Sequence, residues 1–346
     1  MTTPKEIVDA IEAELNESTR HRVGVYGWSP GSGGVHHHRI GEPLRVLREH
    51  GVHVATGVEL DDDILNRCDT VLVHTLHGER ESEAWRTLER LDSHRLVLDV
   101  DDAMWAPDFP AFRDHYTPEV LGRLYDNIRR AHVVTTPSEV IADHLLDYNP
   151  NVHVVPNTVP EWILGHRMPE RARRTVGYQG SHSHARDWAG SAQIQLFKFL
   201  RDHEHWGLAV YGSDRPASWP ESNRVQFYPW AGSVDAYYRS LSMDVMIGPL
   251  RDTAFNRAKS SLRAVEAAAF GIVAVLPDLE PYRGWVEDGV TGRLVHRYQT
   301  MRQVLTEVAA MDPEELGKMA ARARDRAESW TTEASIGRWV EAWNSQ

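Results

Sequence analysis

The feature that most constrains this chain is an alternation of short β-rich runs and helical stretches that runs twice. From residue 22 the order is RVGVY (22–26), RIGEPLRVLREH closed by Gly51, VHVATGV, TVLVH (70–74), ERESEAWRTLERL, RLVLDV (95–100), a helix near 117–130, HVVTT (132–136), a helix opened by Ser138, and VHVVP. The order restarts with TVGYQ (175–179), a helix near 188–203, LAVYG (208–212), RVQFY (224–228), a helix near 233–242, DVMIG (244–248), FNRAKSSLRAVEAAAFG, IVAVL (272–276) and RLV (293–295). Three helical stretches end the chain. Runs that are apolar on both faces and separated by helices predict parallel strands covered on each side, so the expected class is α/β with two halves. Expected boundaries are 1–160 for an N-terminal domain, 161–173 for a linker, 174–328 for a C-terminal domain and 329–346 for a last helix. Packing of that helix back on the N-terminal domain is one placement for it.

Length and composition agree with two cores. The chain has 346 residues, 41% hydrophobic and 25% charged, which is the make-up of a globular protein and not of a disordered one. A net charge of −12 gives no sign of a nucleic-acid or membrane surface. The single cysteine, Cys68, excludes an internal disulfide framework. MTTPKEIVDAIEAELNE lacks the apolar core of a secretory signal, and no window approaches the roughly 20 apolar residues of a membrane span. A cytoplasmic location is expected.

Parallel α/β sheets bind ligands beyond the carboxyl ends of their strands, so the loops there carry the candidates. GWSPGSGGVHHHR follows the first strand; Gly33 and Gly34 allow backbone amides to approach a phosphate or sugar, with His38 and Arg39 at the helix that follows. It is not GxGxxG and has no Walker lysine, so a plain turn is an equal reading. Adjacent histidines project in different directions, and no metal is expected there. DVDDAMW sets Asp99, Asp101 and Asp102 at a strand end, where carboxylates accept sugar hydroxyls, act as a base or cap a helix. His74 and His77 stand just past TVLVH. In the second half YQGSHSHARDW offers Gly180, Ser181 and His184 at the mouth of a helix.

The stretch FNRAKSSLRAVEAAAFGIVAV (255–275) carries Lys259, Arg263 and Glu266 at i, i+4 and i+7, which predicts one helical face. A solvated ion-pair face is the ordinary reading of such charges. Ala264, Ala267, Ala268 and Ala269 instead predict a helix packed tightly on the sheet, which favours a site at its start.

With those residues in view, the chain resembles the retaining GT-B glycosyltransferases of the family 4 type. The resemblance is carried by DVMIGPL, FNRAKSSLRAVEAAAFGIVAV, PY and VEDGVTGRLV across 244–296, with echoes in GVYGW, DVDDAMW, VVPN and YQGSHSHARDW. It implies a GT-B fold: two Rossmann-like parallel-sheet domains facing an interdomain cleft, with the acceptor on the N-terminal side and the nucleotide sugar on the C-terminal side. It implies metal-independent transfer of a sugar, with retention, from a UDP-, GDP- or dTDP-sugar to an acceptor hydroxyl, with no further cofactor. By the same resemblance Glu266 would bind the ribose hydroxyls, and Lys259 with Arg263 would balance the diphosphate. Gly180, Ser181 and His184 would approach the phosphates, Ser260 would join the donor site, and the Phe227–Trp230 region would line the base pocket. Asp102, Asp101 and His74 are the acceptor-side catalytic candidates together with Lys259. Where the family has its first glutamate, this chain has Ala258, which leaves the donor sugar open.

Two other readings stand beside this one: a nucleotide-sugar epimerase of the same fold, and a relative that binds sugar or nucleotide without turnover. The acceptor is open among a small molecule, a glycan, a protein and modified DNA. The acidity of the chain weighs against DNA, because phosphate contacts depend on Lys and Arg.

Overall fold

The computed structural model describes residues 24–29, 36–180, 185–215, 219 and 222–345. The chain divides into two compact units, one holding residues up to Pro160 with Ala258–Ser260 and the chain from Trp330 on, the other Glu161–Arg257 and Ser261–Ser329.

In the first unit β1 (Gly24–Trp28), β2 (His53–Gly57), β3 (Thr70–His74), β4 (Arg95–Asp99), β5 (Val133–Thr136) and β6 (Val152–Val154) form one sheet in the order β2-β1-β3-β4-β5-β6. Every pairing is parallel, and His74 lies opposite Asp99. The crossovers are α1 (Glu42–Glu49), α2 (Glu79–Leu91), α3 (Pro110–His115), α4 (Pro118–Arg130) and α5 (Glu139–Leu145), with shorter turns between. A π-helical turn, His37–Gly41, leads into α1. Pro43 has no N–H for the Arg39 carbonyl, so the helical ladder is free to widen there.

One face of this sheet is closed by the C-terminal helix, Thr332–Asn344. Its Ile336, Trp339, Val340 and Trp343 join Ile40, Leu44, Leu47, Leu72, Val97 and Val133 in a single core. Thr332 N–H donates to the Val159 carbonyl at 2.8 Å, and Arg95 donates to the Trp343 and Ser345 carbonyls.

In the second unit the order is β12-β11-β10-β7-β8-β9, again all parallel, built from β7 (Arg174–Gln179), β8 (Trp206–Tyr211), β9 (Val225–Tyr228), β10 (Val245–Ile247), β11 (Val273–Pro277) and β12 (Arg293–Val295). Its helices include α6 (Ser191–Asp202), α7 (Val234–Ser240), α8 (Leu262–Ala269), α9 (Met301–Ala310) and α10 (Pro313–Ala327). Val176, Val210, Val245, Val273 and Val275 meet Leu196, Phe199, Val304 and Val308 in its core.

Both sheets reverse strand order beside their first strand, between β1 and β3 in one and between β7 and β10 in the other. The crevice at such a reversal is where open α/β sheets bind ligands, so the topology marks one position in each unit.

The stretch 255–271 is not one helix. It breaks into Ala254–Arg257 and α8, with Ala258–Ser261 unwound between them. This corrects the expectation that Lys259, Arg263 and Glu266 share a helical face: Lys259 lies outside the helix, and Ala258–Ser260 group with the first unit. Side-chain bonds account for the break, because Lys259 Nζ meets Asp102 Oδ1 at 2.6 Å and Ser260 Oγ accepts from Asn157 Nδ2 at 2.9 Å. Among the described residues no helix is long and apolar enough to cross a membrane.

Candidate functional site

In the first unit the reversal point gathers His38, Arg39, His74, Asp101, Asp102, Lys259 and Ser260 around the ends of β1, β3 and β4. Arg39 is the anchor. Its guanidinium is fully buried and donates to Asp99 through Nε (3.0 and 3.1 Å) and NH2 (2.6 Å), and through NH1 to the Val155 carbonyl at 2.6 Å and Asn157 Oδ1 at 2.9 Å. The Trp339 ring lies 4.4 Å beneath it, and Thr135 Oγ1 donates to Asp99 at 2.6 Å. Arg39, a candidate of the acceptor or phosphate loop, has its guanidinium bonded to Asp99, Val155 and Asn157.

Above this anchor sit two ion pairs. His74 Nε2 lies 2.8 Å from Asp101 Oδ1, and Lys259 Nζ lies 2.6 Å from Asp102 Oδ1. Burial pulls the His74 pKa down, but Asp101 and Asp99 outweigh it and the value is raised. Burial pushes Asp101 up, yet the His74 charge and hydrogen bond, with Lys259, hold it below the usual carboxylate range. The two shifts agree on a charged pair. Asp102 is raised by burial and by its neighbour Asp101, against the pull of Lys259. Adjacent carboxyl groups pushed apart in this way are suited to different tasks. Thr75, next to His74, is held at φ 49°, and its hydroxyl lies 3.0 Å from His74 Nε2. A β-branched residue in the left-handed region is strained, and such strain is concentrated at functional sites.

His38 is buried. Burial and the neighbouring His37 pull its pKa down to about 3, so its ring is neutral in the folded state. The folded value lies below the unfolded one of about 6.5, so the neutral ring's stability is complete above that pH and is lost as pH falls toward 3. Between pH 7 and pH 4.5 the loss from this group is about 2–3 kcal/mol. Urea unfolding of His38→Gln at those two pH values is expected to show a drop smaller by that amount; an equal drop in wild type and variant contradicts it.

In the second unit the reversal point lies between Gln179–Gly180 and Ile247–Gly248. Glu266 on α8 is 6% exposed; its Oε2 accepts from Gln179 Nε2 at 2.7 Å and its Oε1 from the Tyr238 hydroxyl at 2.9 Å. Burial raises its pKa, with Tyr238, Arg263 and Gln179 opposing. Each carboxylate oxygen keeps acceptor capacity for a further donor. One turn earlier Arg263 stands within electrostatic reach of Glu266 and of the Tyr178, Tyr237 and Tyr282 hydroxyls. Among the described residues its buried NH1 has no hydrogen-bond partner, and neither has the buried hydroxyl of Tyr237. Buried donors without a partner are costly, and two of them here indicate a place for an anionic acceptor.

The backbone makes room for these groups. A Cβ at Gly248 would sit 2.5 Å from Arg263 Cδ and 2.5 Å from Leu276 Cδ2, so only glycine lets the arginine lie there. Trp230, 67% exposed, lies over Gly212, which is held at φ +81°. Asp187 is buried and accepts from Arg251 N at 3.0 Å and Asn256 Nδ2 at 2.9 Å, which tethers the loop before α8.

The structure therefore places Gly180, Trp230, Arg263 and Glu266 in the second unit. Gly33, Gly34, Ser181 and His184 lie outside the described residues. Sequence reasoning missed Gln179, Tyr237, Tyr238, Thr75 and Asn157. Gln179 closes a buried strand directly before a glycine, the one available signal; the others are ordinary until the fold brings them in.

Residues 191–340 match the family model described as glycosyl transferase-like. No curated protein sequence matches the chain. Among solved structures, HepE of Anabaena, seen in complex with UDP and glucose, is similar with a TM-score of 0.62 at 14% identity, over 92% of this chain and 98% of that one. Sucrose-phosphate synthase of Thermosynechococcus elongatus is similar with a TM-score of 0.64 at 13% identity, over 91% and 96%. A proposed UDP-N-acetylglucosamine 2-epimerase of Listeria monocytogenes gives 0.58 at 13%, over 93% and 95%. The fold is GT-B, with two six-stranded parallel sheets flanked by helices.

Proposed function

We infer that the protein is a glycosyltransferase that moves a sugar from a nucleoside-diphosphate sugar to an acceptor hydroxyl, metal-independently and with retention, in the manner of the family 4 type. The observation that carries this reading is the pairing at the second reversal point of a buried, doubly held carboxylate, Glu266, with the half-buried Arg263, whose buried NH1 has no hydrogen-bond partner among the described residues. A nucleoside diphosphate presents those groups with ribose hydroxyls for the carboxylate and phosphate oxygens for the guanidinium.

In this reading Gln179 and Tyr238 orient Glu266 toward the ribose. Arg263 and Tyr237 donate to the diphosphate, whose developing charge is what such a transfer most needs stabilised. Gly180 and Gly248 keep side chains out of the way, and Trp230 offers a ring face to the base. UDP is the favoured nucleotide because the HepE structure holds it. The glycosidic bond to the β-phosphate breaks, the bond to the acceptor oxygen forms on the same face, and the acceptor proton passes to the leaving phosphate. Asp102, its charge balanced by Lys259, and the Asp101–His74 pair orient the acceptor hydroxyl.

Incubation with UDP-, GDP- and dTDP-sugars tests the reading. Free nucleotide is expected from one nucleotide class, with faster release when an acceptor is present and a glycosylated product in the mass spectrum. An isomerised nucleotide sugar without release would favour the epimerase reading, to which the Listeria structure gives some weight. Binding without turnover would leave a non-catalytic relative.

A further inference from the structure

The two tyrosines of the second unit's site stand on one short helix. α7 has seven residues, and Tyr238 alone among them is buried. A helix of that length is not stable by itself, so its place depends on what it touches. The Tyr238 hydroxyl donates to Glu266 at 2.9 Å, and its ring tilts against Phe270 with centroids 5.7 Å apart. Tyr237, next in sequence, carries the buried hydroxyl that has no hydrogen-bond partner among the described residues.

A second element holds α7. The segment expected as a linker groups with the second unit from Glu161 on, and its 3-10 turn, Glu161–Gly165, brings up the half-buried Trp162. Arg239 of α7 lies over that ring, its guanidinium carbon 4.4 Å from the centroid. The same ring stands edge-on to Tyr238 at 6.3 Å and to His166 at 5.9 Å. His166 stands edge-on to Phe270 at 5.7 Å. Trp162, His166, Phe270 and Tyr238 thus close a circuit of rings, each pair within the range at which aromatic groups attract. Trp162 touches α7 twice, through Tyr238 and through Arg239.

We propose that Trp162 is a positioning residue for nucleotide recognition: its ring fixes α7, and α7 aims the Tyr238 hydroxyl that holds Glu266 toward the ribose. This rests on the reading of Glu266 as the ribose ligand. Without the Trp162 ring, α7 keeps its cap, Ser233 Oγ accepting from Ala236 N at 3.1 Å, but loses the two contacts that fix its last turn. A carboxylate whose partner has shifted no longer meets a ribose hydroxyl at good geometry, and the bond weakens steeply with angle and distance. Tyr237 rides on the same helix, so binding of any nucleotide weakens with it; the preference for ribose over deoxyribose isolates Glu266.

Calorimetric affinities of the intact protein for UDP and GDP, each beside its 2′-deoxy analogue, test this. Wild type is expected to prefer the ribonucleotide of the pair it binds by about tenfold, the worth of a hydrogen bond to a charged group. Trp162→Ala is expected to narrow that preference to about twofold, and Trp162→Phe, which keeps a ring under Arg239, to restore most of it. Arg239→Ala removes an exposed side chain and is expected to narrow the preference to about fivefold. Val304→Ala, in the core of the same unit, is expected to lower the thermal midpoint and leave the preference at its wild-type value, which separates positioning from destabilisation. A wild-type preference in Trp162→Ala, or in Arg239→Ala where the first variant does not fold, overturns the proposal. An equal narrowing in Val304→Ala overturns it too. No preference for ribose in wild type, or no binding of either pair, overturns instead the reading of Glu266 on which the proposal rests.

Discussion

Replacing Asp99 with alanine is expected to destabilise the first unit by about 3–5 kcal/mol, the usual cost of leaving one partner of a buried ion pair uncompensated. Arg39 and Asp99 both have fully buried side chains, and the guanidinium distributes its bonds over Asp99, Val155 and Asn157 while resting on Trp339. With Asp99 gone, a cation remains in a core built from the sheet and the C-terminal helix. The double variant Arg39→Met, Asp99→Val is expected to recover most of the loss, because a buried pair exchanged for apolar groups of similar size is often neutral. Urea midpoints of the three proteins measure this. A single variant within about 1 kcal/mol of wild type would show that the pair carries little of the unit's stability.

Arg263→Ala is expected to weaken UDP binding by about 10–100-fold, since a hydrogen bond to a charged group contributes about 1.5–3 kcal/mol. Thermal stability is expected to fall as well, because Arg263 offsets the buried charge of Glu266 and its stem packs over Gly248, so binding is compared at a temperature where the variant is folded. Arg263→Lys keeps the charge but not the planar fork, and an intermediate affinity is expected. Titration calorimetry at fixed salt checks the order of the three proteins.

The strands were the most legible part of the fold. TVLVH and RLV have the bounds expected of them, and RLVLDV ends one residue early, at Asp99. Short runs of β-branched and aliphatic residues flanked by polar turns leave little alternative. The helix expected across 255–271 failed for a tertiary reason. Nothing in RAKSSLR forbids a helix locally, yet Asp102 and Asn157, far off in sequence, draw Lys259 and Ser260 out of it. Propensity yields to such contacts.

The candidate sites were legible in their charges and not in their partners. His74 stood out because it closes a strand, and Asp101 and Asp102 because they follow one. Arg39 looked like loop chemistry because its partner lies 60 residues away. Gln179 and Tyr238 could not be joined to Glu266 from spacing, since they are 87 and 28 residues from it.

The most direct test of the nucleotide site is a calorimetric titration of the intact protein with UDP, GDP and dTDP, in wild type, Glu266→Gln and Arg263→Ala. The expected result is saturable binding of one nucleotide at a single site, weakened by both substitutions in variants that still melt cooperatively above the titration temperature. No binding of any of the three, or binding indifferent to both substitutions, would contradict a nucleotide-diphosphate site at the reversal between β7 and β10.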